Sequence, residues 1–298
     1  MNYSLRENFM NLRSNVTITE STKTMRAMAR QTLQGRWREA FLVSLAMYAI
    51  TTLPSILFPY ISNSAFTLSA VNVYTLMVSG PMALGISLYF LKLFRQRPAG
   101  VEDLLRGFNY MWKSFVLLIL MAVRIFLFSL LLIIPGILAA LRYSQAFFIM
   151  ADNPEKTPRQ CLWESGILMQ DNRGRFFVLE LSFIGWGLLA SLPPALGQML
   201  WGLDHFDFVI SPAADWGDIF VMSLEAAAQP IHPLFYLLGI GTVFLGVYMT
   251  TAHACFYDLA NGNLQVRKAE ELHALREDFL PEAQSEPEVE PQREDTDV

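Results

Sequence analysis

Charged residues are scarce in this 298-residue sequence, where Asp, Glu, Lys and Arg make up 16% of the total. Soluble domains carry about 25%. Residues 40–91 contain no charged residue at all, and 53% of the whole chain is hydrophobic. A soluble core does not require such a run, whereas about 20 apolar residues of helix cross the hydrocarbon of a bilayer. The composition therefore excludes an ordinary soluble protein and predicts membrane-spanning helices.

Cysteine is rare, and the common catalytic motifs are missing. Cys161 and Cys255 are too few for a disulfide framework or a zinc site. The sequence has no His-Glu-x-x-His, no Gly-x-Ser-x-Gly, no phosphate loop and no dinucleotide fingerprint. His205 lies near Asp204 and Asp207, which we interpret as a solvated acidic loop. We therefore expect no enzymatic activity, no cofactor and no bound metal.

The charges that are present follow a pattern. Twenty of the 22 Lys and Arg residues lie in four alternate hydrophilic segments, 1–39, 92–114, 152–175 and 258–298. The connecting segments 60–67 and 201–231 carry none. Basic residues in membrane proteins concentrate on the cytosolic side. The pattern predicts a multi-pass membrane protein with both termini in the cytosol.

The net charge is unevenly distributed. The chain carries −5 overall, but residues 269–298 carry 11 acids and two arginines, a net charge of −9. The remainder is therefore at +4, with its basic residues on the predicted cytosolic side, where they favour anionic lipid headgroups. We expect the lipid bilayer as a partner, with anionic lipids on this side, and no nucleic acid, since no soluble basic domain is present.

The apolar segments predict six spans, at about 40–59, 67–91, 115–134, 137–151, 176–200 and 233–257. The block 115–150 would form about 54 Å of helix, too long for one upright span. Because its two flanks are both basic, we divide it at Pro135-Gly136 into two short spans, and a re-entrant hairpin remains the alternative. The predicted fold is an all-α polytopic bundle of about six transmembrane helices with interfacial amphipathic helices.

Three regions follow from this pattern. Residues 1–38 form a cytosolic segment with an amphipathic helix, 39–260 the six-span membrane domain, and 261–298 an acidic, largely disordered tail. The apolar stripe of the first helix contains Met25, Met28, Ala29, Thr32 and Leu33. Such a stripe is typical either of a helix on the membrane surface or of one packed on another cytosolic segment. The outer segment 201–231 also has amphipathic spacing.

Ionisable residues inside a membrane are costly, which makes them candidates for function. Arg124 and Arg142 are the two basic residues inside an apolar block, and Glu180 is an acid within the fifth span. With Tyr143 they form the predicted intramembrane polar cluster. We expect Glu180 to pair with Arg142 and to hold the fourth and fifth spans together, while snorkelling of both arginines to the headgroups remains open.

Several stretches resemble a bacterial integral membrane family known as domain of unknown function 975. They include 25–30, Pro135-Gly136-Ile137, Arg142-Tyr143-Ser144, 151–154, Glu164-Ser165, 181–186, 252–254 and Phe256-Tyr257. The resemblance covers roughly residues 19–264. It implies a protein of the bacterial cytoplasmic (inner) membrane and implies no activity, because the family is named for lacking one.

Two functional hypotheses follow. Small residues recur at four-residue spacing in three spans, as in Ser79, Ala83 and Ser87, and such stripes let helices approach closely. Together with the missing catalytic motifs, this favours a non-enzymatic scaffold, or a partner in envelope or transport assembly, that binds another membrane protein or a second copy. The alternative is a transporter or lipid-handling carrier that uses the polar cluster of Arg124, Arg142, Tyr143 and Glu180.

Overall fold

The computed structural model describes residues 17–61, 65–205 and 239–262. The described residues form ten α-helices and no strand, which confirms the predicted all-α fold. The helices are α1 (Thr22–Leu33), α2 (Trp37–Ile61), α3 (Ala65–Phe94), α4 (Val101–Arg106), α5 (Met111–Leu131), α6 (Ile133–Tyr143), α7 (Ala146–Asp152), α8 (Pro158–Leu168), α9 (Arg173–His205) and α10 (Ile240–Ala260). The predicted outer helix, most of the segment 201–231 and the acidic tail lie outside the described residues.

Five stretches within the described residues are long and apolar enough to cross a membrane. They are Ala70–Phe94, Val101–Leu131, Ile133–Asp152, Arg173–Gly197 and Ile240–Ala260. They correspond to the second to sixth predicted spans. The first predicted span lies in α2, which is not one of the five, and several side chains near the end of α2 lie outside the described part. A sixth crossing therefore stays a prediction.

The hairpin in the block 115–150 turns at a different place from the one predicted. The chain reverses at Leu132, whose extended backbone (φ −164°, ψ 155°) separates α5 from α6. Pro135 lies in the first turn of α6, where a helix does not need its missing N–H. Gly136 allows close packing, because a Cβ there would overlap the Ser129 side chain. The division at Pro135-Gly136 is therefore wrong by about one helical turn.

The amphipathic helix α1 is packed on the rest of the chain. Ser21 caps it by accepting a hydrogen bond from the Thr24 N–H (3.2 Å). Its buried residues, Met25, Ala29, Thr32 and Leu33, belong to the predicted apolar stripe. Tyr248 of α10 donates a hydrogen bond to the Arg26 carbonyl (3.1 Å). The helix is therefore packed, but against the sixth predicted span rather than against another cytosolic segment.

Close packing around α3 depends on glycine. A Cβ on Gly85 would overlap the Leu104 carbonyl of α4, and a Cβ on Gly107 would overlap the Pro81 carbonyl of α3. Both contacts are with backbone, which cannot rotate away. The predicted small-residue stripe runs along the same helix, and its member Ser87 is buried. The prediction of close approach along this span is sound, but glycines rather than the stripe make the tightest contacts.

Candidate functional site

The most buried charged side chain in the described part of the chain, Asp258, meets two other charges at the ends of three helices. Arg95 directly follows α3 and lies between Asp152, the last residue of α7, and Asp258, near the end of α10. Its Nη2 lies 2.7 Å from Asp258 Oδ1, and its Nη1 lies 2.5 Å from Asp152 Oδ1. Tyr257 donates a hydrogen bond to Asp152 Oδ2 (3.0 Å). We call Arg95, Asp152, Tyr257 and Asp258 the charged cluster.

The cluster is largely removed from solvent. The side chain of Asp258 is 0% exposed, that of Arg95 12% and that of Asp152 19%. Burial opposes the charge on the Arg95 guanidinium, but hydrogen bonds to Asp152 and Asp258 outweigh it and raise the pKa of Arg95 above its ordinary value. The guanidinium is therefore charged at every physiological pH.

The geometry suits a structural clamp. Arg95 donates to Asp152 through Nη1 and Nη2, and to Asp258 through Nη2 and Nε, with Nε at 3.0 Å from Oδ1. Planar guanidinium groups are well matched to carboxylates in this way. A permanently charged donor between two carboxylates neither takes up nor releases protons near neutral pH. The arrangement can hold α3, α7 and α10 together, and it does not resemble an acid–base catalytic site.

Three lysines make further polar contacts between segments of the chain. Lys113 donates to the Pro154 carbonyl (3.0 Å) and so ties the start of α5 to the loop after α7. Lys156 pairs with Glu164 of α8 (2.7 Å), and Lys92 pairs with Asp103 of α4 (2.6 Å). All of these lysines belong to basic segments that the sequence predicts to be cytosolic.

The structure brings three of the four predicted site residues together. Arg124 of α5 and Arg142 of α6 both lie against the ring of Tyr143, with 5.6 and 5.9 Å between each guanidinium carbon and the ring centroid. Cations attract the face of an aromatic ring at such distances. The buried Tyr143 ring therefore contacts both arginines and links the arms of the hairpin.

The fourth residue, Glu180, has a different partner. It pairs with His253 of α10. Arg142 instead lies over α8, where a Cβ on Gly166 would be 2.8 Å from its Nε, and its carbonyl accepts a hydrogen bond from Ser165 (2.8 Å). The predicted Glu180–Arg142 pair is therefore wrong. Glu180 joins α9 to α10, and Arg142 joins α6 to α8.

The polar side chains that follow Tyr143 make some, but not all, of the hydrogen bonds available to them. Ser144 donates to the Leu141 carbonyl (2.9 Å), and the amide of the fully buried Gln145 donates to Ser144 Oγ (3.3 Å). Gln145 Oε1 has no hydrogen-bond partner among the described residues. Both bonds join residues at most three positions apart, so they do not connect different helices.

The described residues provide little support for a metal site or a reactive thiol. Within those ranges, no group of three or more His, Cys, Asp or Glu side chains is placed to hold a metal ion. Cys161 is buried, and burial raises the pKa of its thiol to about 11. A thiol that stays protonated at neutral pH is a poor nucleophile.

Sequence reasoning missed the charged cluster. Its members lie at the edges of predicted spans, where charges are ordinarily solvated, so nothing in the spacing marked them as buried. One signal was present, since Asp152 and Tyr257 both lie in stretches that carry the family resemblance. Motif residues that are charged and border a span are therefore candidates for interhelical contacts.

Comparison with known proteins gives one match. The model of the family described as protein of unknown function (DUF975) matches residues 19–139 and 128–263. The matched ranges include all four members of the charged cluster and all four predicted site residues. Neither the curated proteins nor the solved structures that were compared include a match. The chain belongs to this family of unknown function.

Proposed function

We propose that the chain is a non-enzymatic scaffold of the bacterial cytoplasmic membrane that takes part in envelope or transport assembly. The observation that carries this proposal is the charged cluster, in which Arg95 holds α3, α7 and α10 in one arrangement. A scaffold requires a fixed shape, whereas a carrier that alternates between two states requires helices that move apart.

Separating these helices would be costly. Removal of one partner from a buried ion pair destabilises a protein by about 3–5 kcal/mol, because the other charge is left uncompensated. Moving α10 away from α3 would likewise remove Arg95 from Asp258, whose side chain is 0% exposed. The cluster therefore favours a bundle with one stable arrangement at this end.

Two helices offer surface for other membrane components. In the most apolar window of Val101–Leu131 only 11% of residues are buried, and in that of Arg173–Gly197 only 17%. The other three candidate spans have 44–56% buried. Large side chains such as Phe126 and Leu127 of α5 are exposed. These surfaces suit lipid, another membrane protein or a second copy of the chain.

The carrier hypothesis has less support. It depended on Arg124, Arg142 and Glu180 acting together, and Glu180 instead pairs with His253. The two arginines both contact one buried ring. This separation favours the scaffold over a carrier that uses these three residues.

Sidedness is part of the proposal. The ion pairs of Lys92 and Lys156 and the hydrogen bond of Lys113 involve basic segments predicted to be cytosolic. With both termini also in the cytosol, the charged cluster would lie at the cytosolic end of the bundle.

Site-specific photo-crosslinking in native membranes tests the scaffold. A photoreactive amino acid at Phe126 of α5 is expected to give a discrete protein adduct, from another protein or from a second copy. The same probe at the exposed Leu53 of α2 is the matched control and is expected to give lipid adducts. Lipid adducts alone at both positions, together with movement of labelled phospholipid across reconstituted vesicles, would contradict the scaffold and favour the carrier.

A further inference from the structure

A groove opens on the side of the bundle between α1, α2, α9 and α10. We call it the lateral groove. Its volume is about 410 Å³, within the range of small-molecule sites. Arg26 and Arg30 of α1 line one part of it, and Trp37, Trp186, Phe244 and Gly241 line the rest. It therefore combines two positive charges with an apolar, aromatic wall.

The position of Arg26 in the groove is fixed, and its hydrogen-bonding capacity is not used up. Its Nη1 donates a long hydrogen bond to the Ser182 carbonyl (3.4 Å), and its backbone carbonyl accepts the bond from Tyr248. Its Nε is buried and has no hydrogen-bond partner among the described residues. Unsatisfied buried donors destabilise a protein unless a ligand or water satisfies them. Arg30 lies one turn further along α1 and is exposed.

The apolar wall is held in place by ring contacts. Trp37 stacks on Phe244, with centroids 5.4 Å apart and the planes 14° from parallel. Trp186 is 59% exposed, so the groove is open to the side. From Tyr248 to Gly241 the wall follows α10 for about 10 Å. At Gly241 a Cβ would meet Ala190 only at ordinary contact distance (3.8 Å), so this part of the groove has free space.

These features fit one class of ligand. We propose that the lateral groove binds an anionic phospholipid, with its phosphate on Arg26 and Arg30 and one acyl chain along Trp186, Phe244 and Gly241. The two arginines match a negative headgroup. The open, aromatic side matches a molecule that stays in the bilayer, where Trp rings concentrate near the headgroups. The segment 1–39, which contains both arginines, carries seven basic residues and is predicted to be cytosolic.

The inference goes beyond the scaffold, because the groove does not include α5, the helix on which the crosslinking experiment tests the scaffold. The test is native mass spectrometry of the full chain in detergent, titrated separately with phosphatidylglycerol and with phosphatidylcholine. One tightly retained phosphatidylglycerol is expected. Replacement of both arginines, R26Q with R30Q, is expected to lower its affinity about thirtyfold, since each basic residue near an anionic surface contributes about fivefold.

Matched variants distinguish the effect of net charge from the effect of the groove itself. R97Q with R159Q removes the same charge from exposed positions outside the groove and is expected to leave phosphatidylglycerol binding unchanged. Gly241→Phe keeps both arginines and fills the apolar part, so it is expected to weaken binding. If the double arginine variant is unstable, R30Q alone and Leu189→Trp replace these variants, because both positions are exposed.

Four outcomes would overturn the proposal. Equal binding of the two lipids would mean that headgroup charge is not recognised. An equal loss in R97Q with R159Q would indicate non-specific attraction to net charge. Unchanged binding in Gly241→Phe and Leu189→Trp would show that no chain occupies the groove. Inorganic phosphate that displaces the lipid completely would identify a phosphate site rather than a lipid site.

Discussion

The charged cluster and the tip of the α5–α6 hairpin are stabilised in opposite ways. In the cluster, Arg95, Asp152 and Asp258 satisfy one another inside the protein. At the hairpin tip, residues 130–134 are all Leu or Ile, and each is between 65% and 78% exposed. The cluster is polar and closed, whereas the tip is apolar and open.

The difference shows which part of the fold depends on its surroundings. Exposed leucine and isoleucine at the tip would be unfavourable in water, at about 25 cal/mol for each Å² of apolar surface, but not in lipid. Buried ion pairs are held by their own partners and are sensitive to the loss of any one of them. The cluster therefore depends on its sequence, and the tip depends on the bilayer. The following predictions test this contrast, from the largest expected effect to the smallest.

Removal of one carboxylate from the cluster should have the largest effect. Asp258→Asn leaves Arg95 with one anionic partner and is expected to lower the free energy of unfolding by about 3–5 kcal/mol. Unfolding by SDS in mixed micelles measures it. Glu155→Gln, at an exposed position, is the matched control and should change little. Equal stability of the two variants would mean that the cluster does not clamp the helices.

Crowding the α3–α4 contact should have the next largest effect. Gly85→Ala places a methyl group against the Leu104 carbonyl, so the backbone must shift, at a cost of about 1–3 kcal/mol. Gly246→Ala is the control, because a Cβ there meets nothing within 4 Å and alanine favours a helix by about 0.5–1 kcal/mol. Opposite signs are expected in SDS unfolding. Stabilisation by both variants would argue against close packing at Gly85.

A smaller effect is expected for the partner of Glu180. A double-mutant cycle of Glu180→Gln with His253→Ala should give a coupling of about 0.5–1 kcal/mol, since both side chains are partly exposed. The cycle of Glu180→Gln with Arg142→Gln should give none beyond about 0.5 kcal/mol. The reverse order of the two couplings would restore the pair expected from the sequence.

The smallest effect is expected on the open face of α5. Phe126→Ala should change the stability of the purified monomer by no more than about 0.5 kcal/mol, because the ring is exposed. Leu117→Ala on the same helix removes a fully buried side chain and should be clearly destabilising. A large loss for Phe126→Ala would show that another part of the protein covers this face.

The sequence predicts the helices better than the contacts between them. Hydrophobic length and the alternation of basic segments locate the apolar helices, and the stripe of Met25, Ala29 and Leu33 predicts the buried side of α1. These features are local, so they can be recognised from neighbouring residues. The reversal at Leu132 could not be, because it lies in a uniform apolar run, and Pro135-Gly136 gave a stronger but misleading signal.

The partners of charged residues depend on contacts that are distant in sequence. Arg95 lies 57 residues from Asp152 and 163 from Asp258, and no spacing rule connects them. The partner of Glu180 is equally hard to predict from sequence, because an arginine is an obvious partner by charge and His253 is not. Within the predicted site, the cation–aromatic contacts around Tyr143 join residues of one hairpin, which are close in sequence. The prediction is therefore most accurate for this part of the site.

The order of the cluster along the chain has a consequence for biosynthesis. Arg95 and Asp152 leave the ribosome long before Asp258, which belongs to the last described helix. Until α10 is made, Arg95 has only one of its two carboxylates, and α3 and α7 are joined without their third partner. The last described helix therefore completes the cluster, and a chain that stops before α10 exposes a guanidinium that the finished protein keeps buried.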